Sequence, residues 1–183
     1  MEDLDKLKQK YNAGEHKHDI DLKTSIYCAP ENYGVMEDIV RALDYSLKKL
    51  DEKFGKYKGI VYRQGYMDTG SGQYFSTSSN PKTVAQRIDS YSTEYSVIRT
   101  KSGHKIVDFQ KEMGSRFSHT ESEILLDRKC KYRLVPIEEY DEELLKARER
   151  MANNLFKYKD NRECLAKYTR EQFLEMIKVY DEI

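Results

Sequence analysis

Neither sign of charge predominates in this chain: 32 Lys and Arg stand against 32 Asp and Glu, a formal net charge of zero. Bulk attraction to nucleic acid or to an anionic membrane is therefore not indicated. Cysteine is scarce. Cys28, Cys130 and Cys164 are an odd number without close spacing, which argues against a disulfide framework and fits a reducing compartment. No apolar run approaches the ~18 residues of a membrane span, and the opening MEDLDKLKQK is too charged for a secretory signal. A cytoplasmic protein with no membrane contact is the expectation. Repeats and low-complexity tracts are missing, which removes a solenoid. Metal motifs are missing too. His16 and His18 flank Lys17 without a second ligand pair, and His104 and His119 stand alone, so no metal site is expected. The glycines of Asp68-Thr-Gly-Ser-Gly72 are not followed by Gly-Lys-Ser/Thr and read more naturally as a strand connection than as a phosphate loop.

What is present is enough apolar material for a core. Of 183 residues, 38% are hydrophobic and 11% aromatic, which excludes wholesale disorder and suits one compact domain. Residues 1–24 combine a short helical pattern with a polar loop. Met36, Ile39, Val40, Leu43, Leu47 and Leu50 recur at helical spacing and predict an amphipathic helix over about 35–53. From Gly59 the period changes. GIVYRQGYMD, QYFSTSS, EYSVIRT, HKIVDF, SEILLDR and KYRLVPI are short, β-branched or aromatic, and separated by turn residues. A short helix is predicted at NPKTVAQRI, with Asn80 as cap and Pro81 at the first helical position. After Pro136 the helical period returns, with Leu144, Leu145, Ala147, Met151 and Leu155 on one stripe and Phe173, Met176, Ile177 and Tyr180 on another. The order helices, strands, helices predicts an α+β fold rather than alternating βαβ units. The predicted organisation is a domain over 1–137, with a helical part at 1–55 and a β core at 58–137, followed by a helical extension over 138–183 packed on it.

Three strand-borne features carry chemistry. Arg63, in Ile60-Val-Tyr-Arg-Gln-Gly65, offers a fixed fork of donors for a phosphate or carboxylate; alone, it reads equally well as a solvated strand residue. Tyr74-Phe-Ser-Thr-Ser-Ser79 ends a strand in four hydroxyls, suited to positioning a ligand or its partner side chains, or to capping the next helix. Glu121-Ser-Glu123 precedes the apolar run Ile124-Leu125-Leu126. In an extended segment its two carboxylates share a face, which suits work on a cation or on a sugar with developing positive charge. A charged rim on an edge strand would look the same.

In this order and spacing, the trio resembles the R–S–E signature of arginine-modifying mono-ADP-ribosyltransferases, a group of bacterial toxins, effectors and some bacteriophage enzymes. Tyr62-Arg63 is similar to the family's aromatic-Arg element, Phe75-Ser76-Thr77-Ser78 to its Ser-Thr-Ser element, and Glu121-Ser122-Glu123 to its Glu-x-Glu element. HKIVDFQKEMGSRFSHTESE resembles the loop that presents the acceptor, with Phe117 at its aromatic position. The resemblance spans residues ~30–137. Relatives frequently carry glycine directly after the motif arginine, whereas Gln64 intervenes here before Gly65. The extension over 138–183 has no counterpart in the motif, and a packing brace, a partner surface and a substrate-docking element are its open readings.

The resemblance implies a mixed β core of two short sheets around a cleft for NAD, the co-substrate. It assigns Arg63 to the pyrophosphate or nicotinamide-side ribose region, and Ser76 to the catalytic glutamate or that ribose. Thr77 and Ser78 support the cleft, and the backbone near Gln64 and Gly65 meets the nicotinamide amide. Glu123 accepts from the ribose 2′-hydroxyl, while Phe117 and Glu121 meet the acceptor. The implied partner is an acceptor protein, through an arginine side chain, with threonine and nucleic acid as alternative acceptors. Two other readings stand beside the transferase: an NAD glycohydrolase whose acceptor is water, and a non-catalytic partner-binding protein.

Overall fold

The computed structural model describes residues 33–67, 74–86, 93–112, 122–161 and 163–183. Phe117, Glu121, the N-terminal helical pattern and the Asp68–Gly72 turn lie outside the described residues. By contact density the chain divides into two compact units, Met1–Lys49 and Leu50–Ile183.

The first unit contributes most of α1 (Tyr33–Phe54), close to the helix predicted from its apolar spacing. Within it, Ser46 turns its hydroxyl back to the Ala42 carbonyl at 2.8 Å, a common use of a mid-helix serine. The helix stops at Gly55, whose φ of +69° is costly for any residue with a Cβ.

The second unit is a mixed α+β fold. Its elements are β1 (Lys56–Gln64), β2 (Phe75–Ser78), α2 (Pro81–Gln86), β3 (Tyr95–His104), α3 (Ile106–Glu112), β4 (Glu123–Leu126), β5 (Tyr132–Leu134), α4 (Glu142–Tyr158), α5 (Glu163–Ala166), α6 (Arg170–Met176) and β6 (Ile177–Glu182). Asn80 caps α2 as expected, its Oδ1 accepting from Lys82 N at 3.1 Å. β3 is the centre of the sheet. Along one edge it pairs antiparallel with β1, from Lys56↔His104 to Gln64↔Tyr95, with a bulge between Tyr57 and Gly59. Along the other it pairs in parallel with β6, from Tyr95↔Ile177 to Arg99↔Asp181, and β5 closes antiparallel on β6. β2 and β4 form a separate antiparallel ladder. Single pairs, Tyr62↔Ser78 and His104↔Leu125, join that ladder to β1 and β3. Instead of the two short sheets expected, the described strands therefore share one six-stranded hydrogen-bonded network.

Successive strand residues point to opposite faces, and here both faces are covered. Tyr62, Val97 and Val179 join the cluster formed with Leu144, Met151, Leu155 and Phe173 of the C-terminal helices. Their neighbours Val61, Ile98 and Tyr180 join a second cluster with Phe75, Ile124, Leu126 and Tyr132. A strand buried on both sides need not alternate, which is why Tyr95, Ser96, Val97 and Ile98 are all buried.

Two sequence expectations are corrected. HKIVDF is not a strand: β3 runs on to His104, and the apolar residues after it open the helix α3. The extension over 138–183 is not wholly helical, because Ile177–Glu182 forms β6 and lies in the same compact unit as the β core. Ile177, Met176 and Tyr180 fit a helical stripe as well as a strand, but Ile177 and Val179 also alternate, and the open edge of β3 supplies hydrogen bonds that a longer helix would forgo. Thr169 and Gln172 form a capping box that starts α6, and the chain passes from Met176 directly into the strand. Most of the apolar stripe of α4 is core: Leu144, Ala147, Met151 and Leu155 are buried, whereas Leu145, expected on the same stripe, is exposed.

The end of β6 is locked by its carboxylate. Glu182 accepts from Thr100 Oγ1 at 2.7 Å, Ser102 Oγ at 2.6 Å, Ser102 N at 3.1 Å and Lys101 N. Arg99 ties the same strand to α4 through Asp181 at 2.7 Å and through Asp141. Burial pushes the Glu182 carboxyl up, but the donors from Ser102, Lys101 and Thr100 outweigh it and hold the group below its ordinary value of 4.5. A carboxyl depressed in the folded state stabilises it fully above that ordinary value, and the contribution is lost as pH falls through the folded value. Glu182→Gln is expected to lower stability at pH 7 by about 1 kcal/mol after allowance for solvent screening, and to flatten the acid limb of stability. Chemical denaturation at pH 7 and pH 3 checks both.

Candidate functional site

One strand end from each of β1, β2 and β4, together with α2, borders an open cleft lined by Tyr62, Arg63, Gln64, Ser76, Thr77, Ser78, Thr83, Val84 and Glu123. The lining follows from the pleat. β1 delivers Arg63 one residue past the buried Tyr62, and β2 alternates Phe75 and Thr77 inward with Ser76 between them. β4 opens with Glu123, opposite Ser78 in the ladder.

Hydrogen bonds join the three strands in series. Arg63 Nη1 donates to the Ser76 carbonyl at 3.0 Å, and the guanidinium carbon lies 5.1 Å from the centroid of the Phe75 ring. Ser76 Oγ donates to Glu123 Oε1 at 2.8 Å. Arg63 is thus half-buried, stacked and tethered, so its reading as a merely solvated strand residue fails. A planar fork held over an aromatic ring and tethered to a carbonyl is oriented in one direction. Glu123 is half-buried and oriented by a hydroxyl donor, as a carboxylate must be if it is to accept a further hydrogen bond in a fixed direction.

The neighbouring hydroxyls divide their work. Thr77 is buried, and its Oγ1 donates to the Ile124 carbonyl at 2.5 Å, riveting β2 to β4. Ser78 Oγ accepts from Asn80 N at 3.1 Å and donates to the Asn80 carbonyl at 3.2 Å, so it shapes the entry to α2 while lining the cleft. The run thus holds a partner side chain, Ser76 on Glu123, and shapes the start of α2. Burial raises the titration of the Tyr62 phenol, opposed by Arg150.

Gly65 stands apart. Its φ is +85°, its N–H donates to the Glu94 carbonyl at 2.8 Å, and its own carbonyl accepts from Ser96 Oγ at 2.8 Å. Gly65 ends the strand, and Gln64 is the residue of that pair lining the cleft. The Glu-x-Glu segment also departs from expectation. Ser122 has φ +47°, so the stretch before β4 is not extended, and the period-two argument for a shared carboxylate face does not apply across Ser122. Glu121 and Phe117 lie outside the described residues. Thr83 and Val84 line the cleft without having been singled out: in the sequence they are ordinary residues of a short helix, and only the ladder that seats α2 beside Glu123 brings them there.

Among the described residues, no group of three or more His, Cys, Asp and Glu side chains is placed to hold a metal ion, and no helix is long and apolar enough to cross a membrane. Compared with known proteins, the chain matches no protein-family profile, no curated protein and no solved structure.

The site depends on close contact between β3 and β4. A Cβ at Gly103 would lie 2.5 Å from Ile124 Cγ2, and Ile124 is buried next to Glu123. Gly103→Ala is expected to cost about 1–3 kcal/mol, the usual range for overpacking, and to lower the melting temperature. A melting curve unchanged from wild type would contradict this packing.

Proposed function

We propose that the chain is a mono-ADP-ribosyltransferase that cleaves NAD and transfers ADP-ribose to an arginine side chain of an acceptor protein. The observation that carries this reading is the series Arg63–Ser76–Glu123, three residues up to 60 positions apart that meet in one cleft through hydrogen bonds of 3.0 Å and 2.8 Å. The residues present fit the co-substrate chemically. A stacked guanidinium suits the pyrophosphate or the ribose beside it, hydroxyls and the Gln64 side of the cleft suit a carboxamide, and an oriented carboxylate suits a ribose hydroxyl.

NAD brings a C–N glycosidic bond whose leaving group, nicotinamide, departs with the bonding pair. The protein's task is to stabilise the positive charge that develops on the ribose. Glu123 accepts from the 2′-hydroxyl, a contact that strengthens as the ribose gains oxocarbenium character and therefore acts on the transition state more than on binding. Ser76 holds that carboxylate in direction, and Arg63 holds the anionic side of the substrate. The acceptor step rests on the resemblance. A guanidinium is always charged and a poor nucleophile, so a nitrogen attacking the ribose carbon must lose a proton, and Glu121 is the base assigned to take it.

Water as acceptor, giving an NAD glycohydrolase, is the second reading. The binding-module reading gains no support from most of the α4 stripe, where Leu144, Ala147, Met151 and Leu155 are buried and Leu145 is exposed.

Glu123→Ala is expected to abolish nicotinamide release and transfer together while leaving NAD affinity within about twofold, since the contact acts on rate. Release measured by chromatography, with affinity measured by calorimetry, checks this; near-native release would remove Glu123 from the mechanism. Glu121→Gln is expected to lower labelling of an arginine acceptor by ~10²–10⁴ while nicotinamide release to water persists. Loss of both together would assign Glu121 to cleavage itself, and loss of neither would remove arginine as the acceptor.

A further inference from the structure

We infer that Ser79 is a positioning residue for the Glu123 carboxylate, acting through the backbone of Ser122; the inference rests on the NAD-cleaving reading above. Among the described residues, Ser122 is the non-glycine residue with a positive φ, +47°, a conformation that L residues disfavour. Its carbonyl is gripped twice by one residue: Ser79 donates from N at 3.0 Å and from Oγ at 3.2 Å. The next residue is Glu123, which opens β4, pairs with Ser78 and receives Ser76 Oγ at 2.8 Å. Backbone strain persists only where the surroundings over-determine it, and it gathers where geometry matters for chemistry.

The consequence is mechanical. Once the hydroxyl is removed, the Ser122 peptide keeps a single hydrogen bond and is freer to relax toward the extended region. Rotation about that φ turns the peptide leading into Glu123 and draws its carboxylate off the Ser76 donor. Ser79 lies outside the residues lining the cleft, so it acts on the direction of Glu123 and not on the substrate. The expected signature is a fall in kcat at constant KM.

The test compares nicotinamide release from NAD by the full chain and four variants, with near-ultraviolet circular dichroism to confirm folding. Ser79→Ala is expected to lower kcat about tenfold, part of the cost of displacing a catalytic group by an ångström, with KM unchanged. Ser79→Thr, which keeps the hydroxyl, restores kcat. Ser122→Gly retains wild-type kcat because glycine adopts positive φ without strain, whereas Ser122→Val falls as Ser79→Ala does because a β-branched residue resists it. If Ser79→Ala fails to fold, the Ser122→Gly and Ser122→Val pair decides. Wild-type kcat in Ser79→Ala or in Ser122→Val, a raised KM at constant kcat, or a Ser79→Thr variant as slow as the alanine overturns the inference. A wild-type chain that releases no nicotinamide overturns the NAD-cleaving reading, and this inference with it; an active wild type with an insensitive Ser79 overturns this inference alone.

Discussion

The register of one short ladder governs the candidate site. Four residue pairs join Phe75–Ser78 to Glu123–Leu126, and because side chains alternate along a strand, a slip of one residue would exchange every inward and outward position. Ser76 would then turn from Glu123, and the buried Phe75 would be turned out of the core. Several contacts hold the register at once. Thr77 bonds to the Ile124 carbonyl, Ser79 holds Ser122, and Gly103 admits Ile124 against β3. At the far end, His104 is buried with Nδ1 2.9 Å from Asp51 and Nε2 3.6 Å from Asp127, and pairs through its backbone with Leu125. A four-pair ladder is marginal alone; tied at both ends it becomes a rigid mount for a carboxylate.

That mount in turn needs β3, the strand with neighbours on every side. β1 presents Arg63 only because it is paired with β3 through Arg63↔Ser96 and Gln64↔Tyr95. β3 keeps its place because β6 fills its other edge and the C-terminal helices bury one face of the sheet. The C-terminal residues thus act on the cleft indirectly. They supply none of its lining, yet the strand that orders the lining leans on them. A packing brace describes residues 138–183 better than an appended tail.

Much of this was legible in the residues. The mixed α+β class, the long amphipathic helix, the capped turn at Asn80 and five of the six strands follow from spacing, capping chemistry and β-branched content, because those signals are local. What was not legible is what depends on partners. Ile177–Glu182 carries a helical and an extended pattern at once, and only the vacant edge of β3 decides between them. The φ of Ser122 leaves no trace in a sequence where serine is common. Thr83 and Val84 belong to the cleft through tertiary placement alone. Arg63 had two readings until Phe75 and the Ser76 carbonyl were found beside it, contacts made across 12 and 13 residues of chain.

Together, a stacked guanidinium, a hydroxyl and a hydroxyl-oriented carboxylate make a site complementary to a sugar that becomes positively charged beside an anion. The chemistry proposed for it is glycosidic cleavage, with the acceptor assigned to Glu121 and Phe117 by resemblance alone. The most direct measurement is the release of nicotinamide from NAD by the purified wild-type chain, with adenine-labelled NAD followed in parallel into added arginine-containing protein. The account predicts catalytic release, many nicotinamide molecules per protein chain, with label appearing on the acceptor. Release that stays below one nicotinamide per chain at any protein concentration would contradict it.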